Sequence, residues 1–253
     1  MSLLSSFDSP ITAVLIGASG GIGQAMLEQL LAEPRVSRIH AFARRMSKSL
    51  QQQATTHSDR LSLHSIDLNR EASIAACAEQ LTGAAPDLVL ITTGLLHSGE
   101  SLPEKSWRNL ESDYFQQQMQ INALAPALLA KHLIPLMPRD RRTVFAALSA
   151  RVGSIGDNRL GGWYSYRASK AALNMLLRCT AIEAKRRWPK LVVAGLHPGT
   201  VDTALSEPFQ ARVPEGKLFT PEFSARSLLQ VIDGLIPADS GSVFAWDGQL
   251  IQP

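Results

Sequence analysis

The chain has 253 residues, 45% hydrophobic and 19% charged, which supplies a substantial core and excludes a disordered polyelectrolyte. Its formal net charge of +3 sits in small clusters such as Arg139, Arg141 and Arg142, read as solvated helix ends and turns rather than a nucleic-acid surface. Two cysteines and six histidines without ligand spacing argue against a disulfide framework and a structural metal. No stretch approaches the about 18 apolar residues of a spanning helix, and residues 1–10 lack a basic start and a sustained apolar run, so no membrane contact and a cytoplasmic location are expected.

The first apolar run, residues 13–16, is short and continuous, as in a strand buried on both faces. It leads through Gly17, Ala18, Ser19, Gly20, Gly21, Ile22 and Gly23 into a helical pattern over 22–33. Gly17 permits the tight turn off the strand, Gly21 lets the backbone approach a pyrophosphate, and Gly23 lets the helix pack closely on the sheet. The helix N-terminus then offers unpaired N–H groups and a partial positive charge to phosphates, with Ser19, Gly20 and Ile22 part of the same dinucleotide turn. A second strand at 38–42 runs into Ala43, Arg44 and Arg45. A site for NAD places an Asp or Glu there for the ribose 2′-hydroxyl; the two guanidinium groups found instead suit a 2′-phosphate. This predicts NADP(H), with NAD(H) second. After the third strand, 61–66, come Asp67 and Leu68, where the carboxylate either accepts from an adenine amino group or caps the helix expected over 71–81.

A fourth strand at 88–91, a long helical pattern over 113–137 and a fifth strand at 143–148 follow. The next helix, expected over 165–187, carries Tyr166 and Lys170, four apart and therefore on one face. A free phenol titrates near ~10, and a neighbouring ammonium is expected to lower that by roughly 1–3 units. The sixth strand, 191–196, runs into His197, Pro198, Gly199, Thr200, Val201, Asp202 and Thr203. Pro198 and Gly199 bend the chain, Val201 and the Thr203 hydroxyl are expected to hold a nicotinamide carboxamide, and His197 reads as a strand-end residue rather than a base. Residues 203–220 lack periodicity, as an active-site lid does. A helix over 222–235 and a seventh strand at 242–245 complete a doubly wound Rossmann-type α/β domain, single over residues 1–253, with a mostly parallel sheet and helices on both faces.

The glycine turn, Asp67, the Tyr166–Lys170 pair and the run from Pro198 to Thr203 together resemble the short-chain dehydrogenase/reductase family, from about Thr12 to Gly248. Leu148 to Asn158, followed by Gly161, Gly162 and Trp163, resembles the branch of C-factor-like and sniffer-like carbonyl reductases. The resemblance implies reduction of a ketone or aldehyde, with Tyr166 as general acid and Lys170 as its tuning and orienting partner. It also implies that Asn122 relays protons through water, and that a homodimer or homotetramer forms through the outer faces of the long helices. The family commonly places two serines after strand five and uses the second as carbonyl donor; here the pair is Ser149 and Ala150, and either Ser149 through a local shift or Ser154 takes the role, with Ser149 favoured. The usual Asn-Asn-Ala-Gly after strand four is replaced around Thr92, Thr93 and Gly94, Thr92 being expected to replace one hydrogen bond. A rival reading from the C-factor resemblance is a cofactor-binding signalling protein with incidental turnover. Leu205, Phe209, Val213, Leu218 and Phe219 of the lid suggest an apolar or aromatic small-molecule carbonyl substrate.

Overall fold

The computed structural model describes residues 2–8, 10–97 and 101–252, so Met1 and Ser9 of the N-terminal stretch lie outside it. The chain runs β1 (Ile11–Ile16), α1 (Gly21–Ala32), β2 (Val36–Ala43), α2 (Lys48–Thr56), β3 (Leu61–Ser65), α3 (Glu71–Gln80) and β4 (Leu88–Ile91). It continues with α4 (Ser112–Met119), a π turn (Gln120–Leu124), α5 (Ala125–Leu133), β5 (Thr143–Leu148), α6 (Tyr164–Ala184) and β6 (Leu191–His197). The last part holds β7 (Thr200–Val201), a 3-10 turn (Glu207–Arg212), β8 (Leu218–Phe219), α7 (Pro221–Gly234), β9 (Ser242–Ala245) and β10 (Leu250–Ile251).

The main sheet has the order β10-β9-β6-β5-β4-β1-β2-β3 and is parallel except for β10, which pairs antiparallel with β9. Eight strands therefore replace the seven expected; the eighth, β10, contributes only two residues, too few for a hydrophobic run to show. Just before and near the end of the aperiodic region, β7 and β8 form a separate two-stranded sheet around the 3-10 turn. Helix α2 also escaped the pattern, because Leu50 is its single buried residue, although Ser47 caps it by accepting from Leu50 N at 3.2 Å.

Alternate residues of each central strand feed two cores, as the pleat requires. Ala13 and Leu15 pack with Met26, Leu27 and Leu30 of α1 and Leu228, Leu229 and Ile232 of α7. Val14 and Ile16 pack instead with Ile74 of α3, Leu129 and Leu133 of α5, and Leu173 and Leu177 of α6. Leu124, an apolar position within the long helical pattern expected over 113–137, is 46% exposed. The π turn just before α5 adds a residue to the helical ladder and shifts the register of the face that follows. Strand order reverses between β1 and β4, so the crossovers diverge there and open a crevice at the carboxyl edge.

Candidate active site

A cleft of about 490 Å³ lies in that crevice, and its wall is built by residues just past the carboxyl ends of β1 to β6. Gly17, with φ +97°, turns the chain off β1, and Gly17, Ser19, Gly20, Gly21 and Ile22 line the cleft. Gly23 lies beneath them: a Cβ there would sit 2.0 Å from the Gly17 carbonyl oxygen. A Cβ on Gly21 would meet Thr203 Cγ2 at 2.6 Å, so the glycine turn and the segment after β6 close on each other. Thr92 Oγ1 donates to Ile16 O at 2.9 Å and so ties the end of β4 to β1. Thr92, Thr93 and Gly94 all face the cleft.

Arg44 and Arg45 are exposed at the end of β2 and line the same cleft, as do Asp67 and Leu68 past β3. Asp67 does not cap α3, whose N-cap is Arg70; its Oδ1 accepts from Asn69 N at 3.0 Å in a local turn. The Asn69 hydrogen bonds and, at greater range, Arg70 and Arg44 hold the Asp67 carboxyl below the usual range. A dinucleotide fits this lining: a glycine turn that faces the cleft without side chains, two guanidinium groups at one end, and a buried Thr93 hydroxyl with no hydrogen-bond partner among the described residues.

Tyr166 and Lys170 both reach the cleft wall from the first two turns of α6. Lys170 Nζ lies 5.7 Å from the Tyr166 ring centroid and donates to Leu148 O at 2.8 Å. Burial pushes the Lys170 ammonium down to about 8 and the Tyr166 phenol up. The expected lowering of the phenol by its lysine is thus not found in the protein alone, because both groups are nearly dry and burial penalises either charged form. Asn122 is buried in the π turn rather than in the cleft wall. Its Oδ1 accepts from Leu95 N at 2.8 Å and its Nδ2 lies 2.7 Å from Leu95 O, 2.7 Å from Gln118 Oε1 and 3.0 Å from Ser169 Oγ.

Ser149 lines the cleft, but its hydroxyl donates to Asn174 Oδ1 at 2.6 Å. Ser154 is buried away from the lining and accepts from Asp157 N at 3.1 Å. Past β6, Pro198 and Thr203 line the cleft, whereas Gly199 and Val201 stand behind it. Gly199 takes φ +78° against the Phe219 ring, and the Val201 carbonyl accepts from Ser206 Oγ at 2.5 Å, while β7 meets β8 through Asp202 N, which donates to Phe219 O at 2.8 Å. His197 ends β6 as expected; burial first, then Arg151, lowers its pKa to about 4 against the opposing pull of Asp247.

The lining also contains residues the sequence reading passed over. Leu95, Gln117, Ile121 and Ala204 form, with the expected lid residue Leu205, the side of the cleft between α4 and the segment after β7. The four-residue spacing of Gln117 and Ile121 was the available signal, and the register change in the π turn obscured it. Over Tyr166 an apolar cluster joins Leu96 and Ala150 to Val152, Trp163, Leu205 and Phe209.

Among solved structures, the fold matches the NADPH-bound carbonyl reductase from chicken fatty liver with a TM-score of 0.85 at 25% identity, covering 99% of this chain and 98% of that one. The 1-hydroxy-2-glutathionyl-2-methyl-3-butene dehydrogenase of Rhodococcus sp. (strain AD45) is 32% identical over 189 residues, 74% of this chain and 78% of that protein. The C-signal protein of Myxococcus xanthus is 37% identical over 128 residues, 51% of this chain and 72% of that protein. No helix among the described residues is long and apolar enough to cross a membrane. The short chain dehydrogenase model matches residues 11–213, and with a Tyr166–Lys170 pair beside a glycine-turn cleft the chain belongs to the short-chain dehydrogenase family of oxidoreductases.

Proposed function

We propose that this protein is an NADP(H)-dependent carbonyl reductase working as a single Rossmann-type domain. The observation that carries the reading is that Tyr166 and Lys170 share one cleft with the glycine turn and the Arg44–Arg45 end of β2. The neighbour from chicken liver, bound to NADPH, supports the cofactor choice. Bound in the cleft, NADPH supplies the hydride. Tyr166 donates its phenolic proton to the carbonyl oxygen as negative charge develops there, and the raised pKa keeps that proton in place until then. Lys170 spends one N–H on Leu148 and keeps two donors for ribose hydroxyls and for the phenolate left behind. Ser149 supports the same oxygen only after its hydroxyl leaves Asn174. Asn122 fixes Leu95 in the wall, and the spot left open by Gly94, 3.8 Å from both Asn122 Oδ1 and Lys170 Nζ, seats the water through which protons return.

Exposed Leu124, Met175 and Ile182 on the helices beyond the cleft suit a homodimer or homotetramer. Free Cys77 and Cys179 agree with a cytoplasmic setting. Tyr166→Phe is expected to reduce NADPH consumption across a ketone and aldehyde panel by about 10²–10⁴-fold while NADPH still binds. Turnover near the wild-type rate in that variant would sink the assignment. The relation to the C-signal protein and the tied Ser149 hydroxyl favour a second reading, a cofactor-binding signalling protein. Tight NADPH binding without consumption on any carbonyl would select it.

A further inference from the structure

The chain enters α6 through three consecutive residues in the left-handed region: Gly161 at φ +62°, Gly162 at +64° and Trp163 at +51°. For the two glycines this conformation is free of a Cβ penalty; for a tryptophan it is strained and persists only if its surroundings impose it. The surroundings are in place. Glu104 is a carboxylate only 3% exposed, delivered from the loop before α4 to the N-terminus of α6. Its main-chain oxygen accepts from Trp163 N at 2.5 Å, and its side chain accepts from Ser165 N at 3.2 and 3.3 Å and from the Ser165 hydroxyl. The positive end of the helix offsets the buried charge. On the other side Arg167 Nε donates to Gly162 O at 3.0 Å.

This forced turn decides where the indole goes. The Trp163 ring lies edge-on to Tyr166, centroids 6.2 Å apart, and against Phe209 at 4.9 Å; Phe209 in turn meets His97, whose Nε2 lies 3.0 Å from Ala204 O. Tyr166 and Leu205 belong both to this cluster and to the cleft wall, and Ala150 adds a methyl where the family commonly has a hydroxyl. We propose that Trp163, packed behind Tyr166 and Leu205 of the cleft wall, is a specificity-determining residue that selects carbonyl compounds bearing an aromatic ring beside the reacting carbon, and that Glu104 is the positioning residue holding it there. The proposal rests on the carbonyl-reductase reading for the step at Tyr166, and on the geometry at residues 104 and 161–167 for the wall.

The test compares 1-phenyl-1,2-propanedione with 2,3-butanedione, which share a diketone and differ by phenyl for methyl. Glycine adopts the left-handed turn without strain, so Trp163→Gly removes the ring and keeps the chain path. The ratio of kcat/KM for the phenyl over the methyl compound is expected to fall about tenfold in Trp163→Gly, chiefly through KM. Glu104→Leu is expected to follow it, while Glu104→Gln, whose amide oxygen still accepts from Ser165, keeps the ratio. If Glu104→Leu does not fold, Ser165→Ala takes its place, with a fall in the same direction expected. An unchanged ratio in Trp163→Gly overturns the wall. A wild-type ratio in Glu104→Leu or Ser165→Ala, or a Glu104→Gln as poor as the leucine variant, overturns the holding role. Calorimetric binding separates this from the underlying reading: a wild type that binds the phenyl diketone about tenfold tighter than Trp163→Gly, with no NADPH consumed, ends the reductase reading and keeps the wall.

Discussion

Lys170 is 2% exposed and has no carboxylate among the causes of its shift, so lost hydration alone brings its ammonium down to about 8. The unfolded chain would hold that proton up to about 10.4. Between pH 8 and 10 the unfolded state therefore binds more protons than the folded one, and stability rises with pH by up to about 1.4 kcal/mol per unit. Tyr166 acts the other way above about pH 10, where the unfolded phenol ionises and the folded one does not. Denaturant unfolding of wild type and Lys170→Met at pH 8 and pH 10 should show the upward slope in wild type alone; equal slopes would refute the dry ammonium. That Tyr166 and Lys170 share one helix face was legible from their spacing, but their burial was not, because it depends on β5 and on the cluster around Leu96, far away in the chain. The direction of the Ser149 hydroxyl was hidden for the same reason: its partner Asn174 belongs to the next element.

At the scale of elements, glycine in a helix ordinarily costs about 1 kcal/mol relative to alanine, so Gly23→Ala in α1 would stabilise an isolated helix. In this fold the added methyl would lie 2.0 Å from the Gly17 carbonyl oxygen, and helix or strand must move. The clash wins: Gly23→Ala should lose about 1–3 kcal/mol in denaturant unfolding and weaken NADPH binding with it. The neighbouring β2–β3 pair carries an acid-sensitive contact, His40 Nδ1 to His64 Nε2 at 3.2 Å. Burial, then His64 and Arg38, lowers the His40 pKa to about 4. The unfolded chain protonates first, so this stability is full above about pH 6.5 and is lost as pH falls toward 4. His40→Gln should flatten that part of the pH–stability curve relative to wild type, as read by thermal melts at pH 7 and pH 4.5. Strong apolar runs made β1 to β6 and β9 readable, whereas α2, with one buried residue, and β10, with two residues in all, gave the hydrophobic pattern too little to register. The π turn was invisible because Gln120–Leu124 carries a helical composition and differs only in which carbonyl each N–H meets.

Across the whole molecule, the mostly parallel sheet followed from alternation and strand burial, whereas the strand order, with its switch between β1 and β4, depends on long-range pairing and places the cleft where the glycine turn, Arg44 and Tyr166 converge. Arg44→Ala is expected to weaken NADPH roughly tenfold or more and leave NADH almost untouched, by fluorescence titration, since a charge-assisted fork to a 2′-phosphate is missing from the second coenzyme. The stretch 203–220 was legible as aperiodic, but its 3-10 turn and the pairing of β8 with β7 just before it join residues 200–201 to 218–219, which local sequence does not encode. One consequence follows from a wall assembled at the tips of six strands drawn from the first 200 residues. A coenzyme seated there clasps stretches that are remote along the polypeptide, so opening any one of them must first release it. At a hundredfold excess over Kd, such a clasp adds about 2.7 kcal/mol, several degrees in melting temperature for a chain of this size. The heat resistance of the protein in a cell would then track the local supply of its own redox currency.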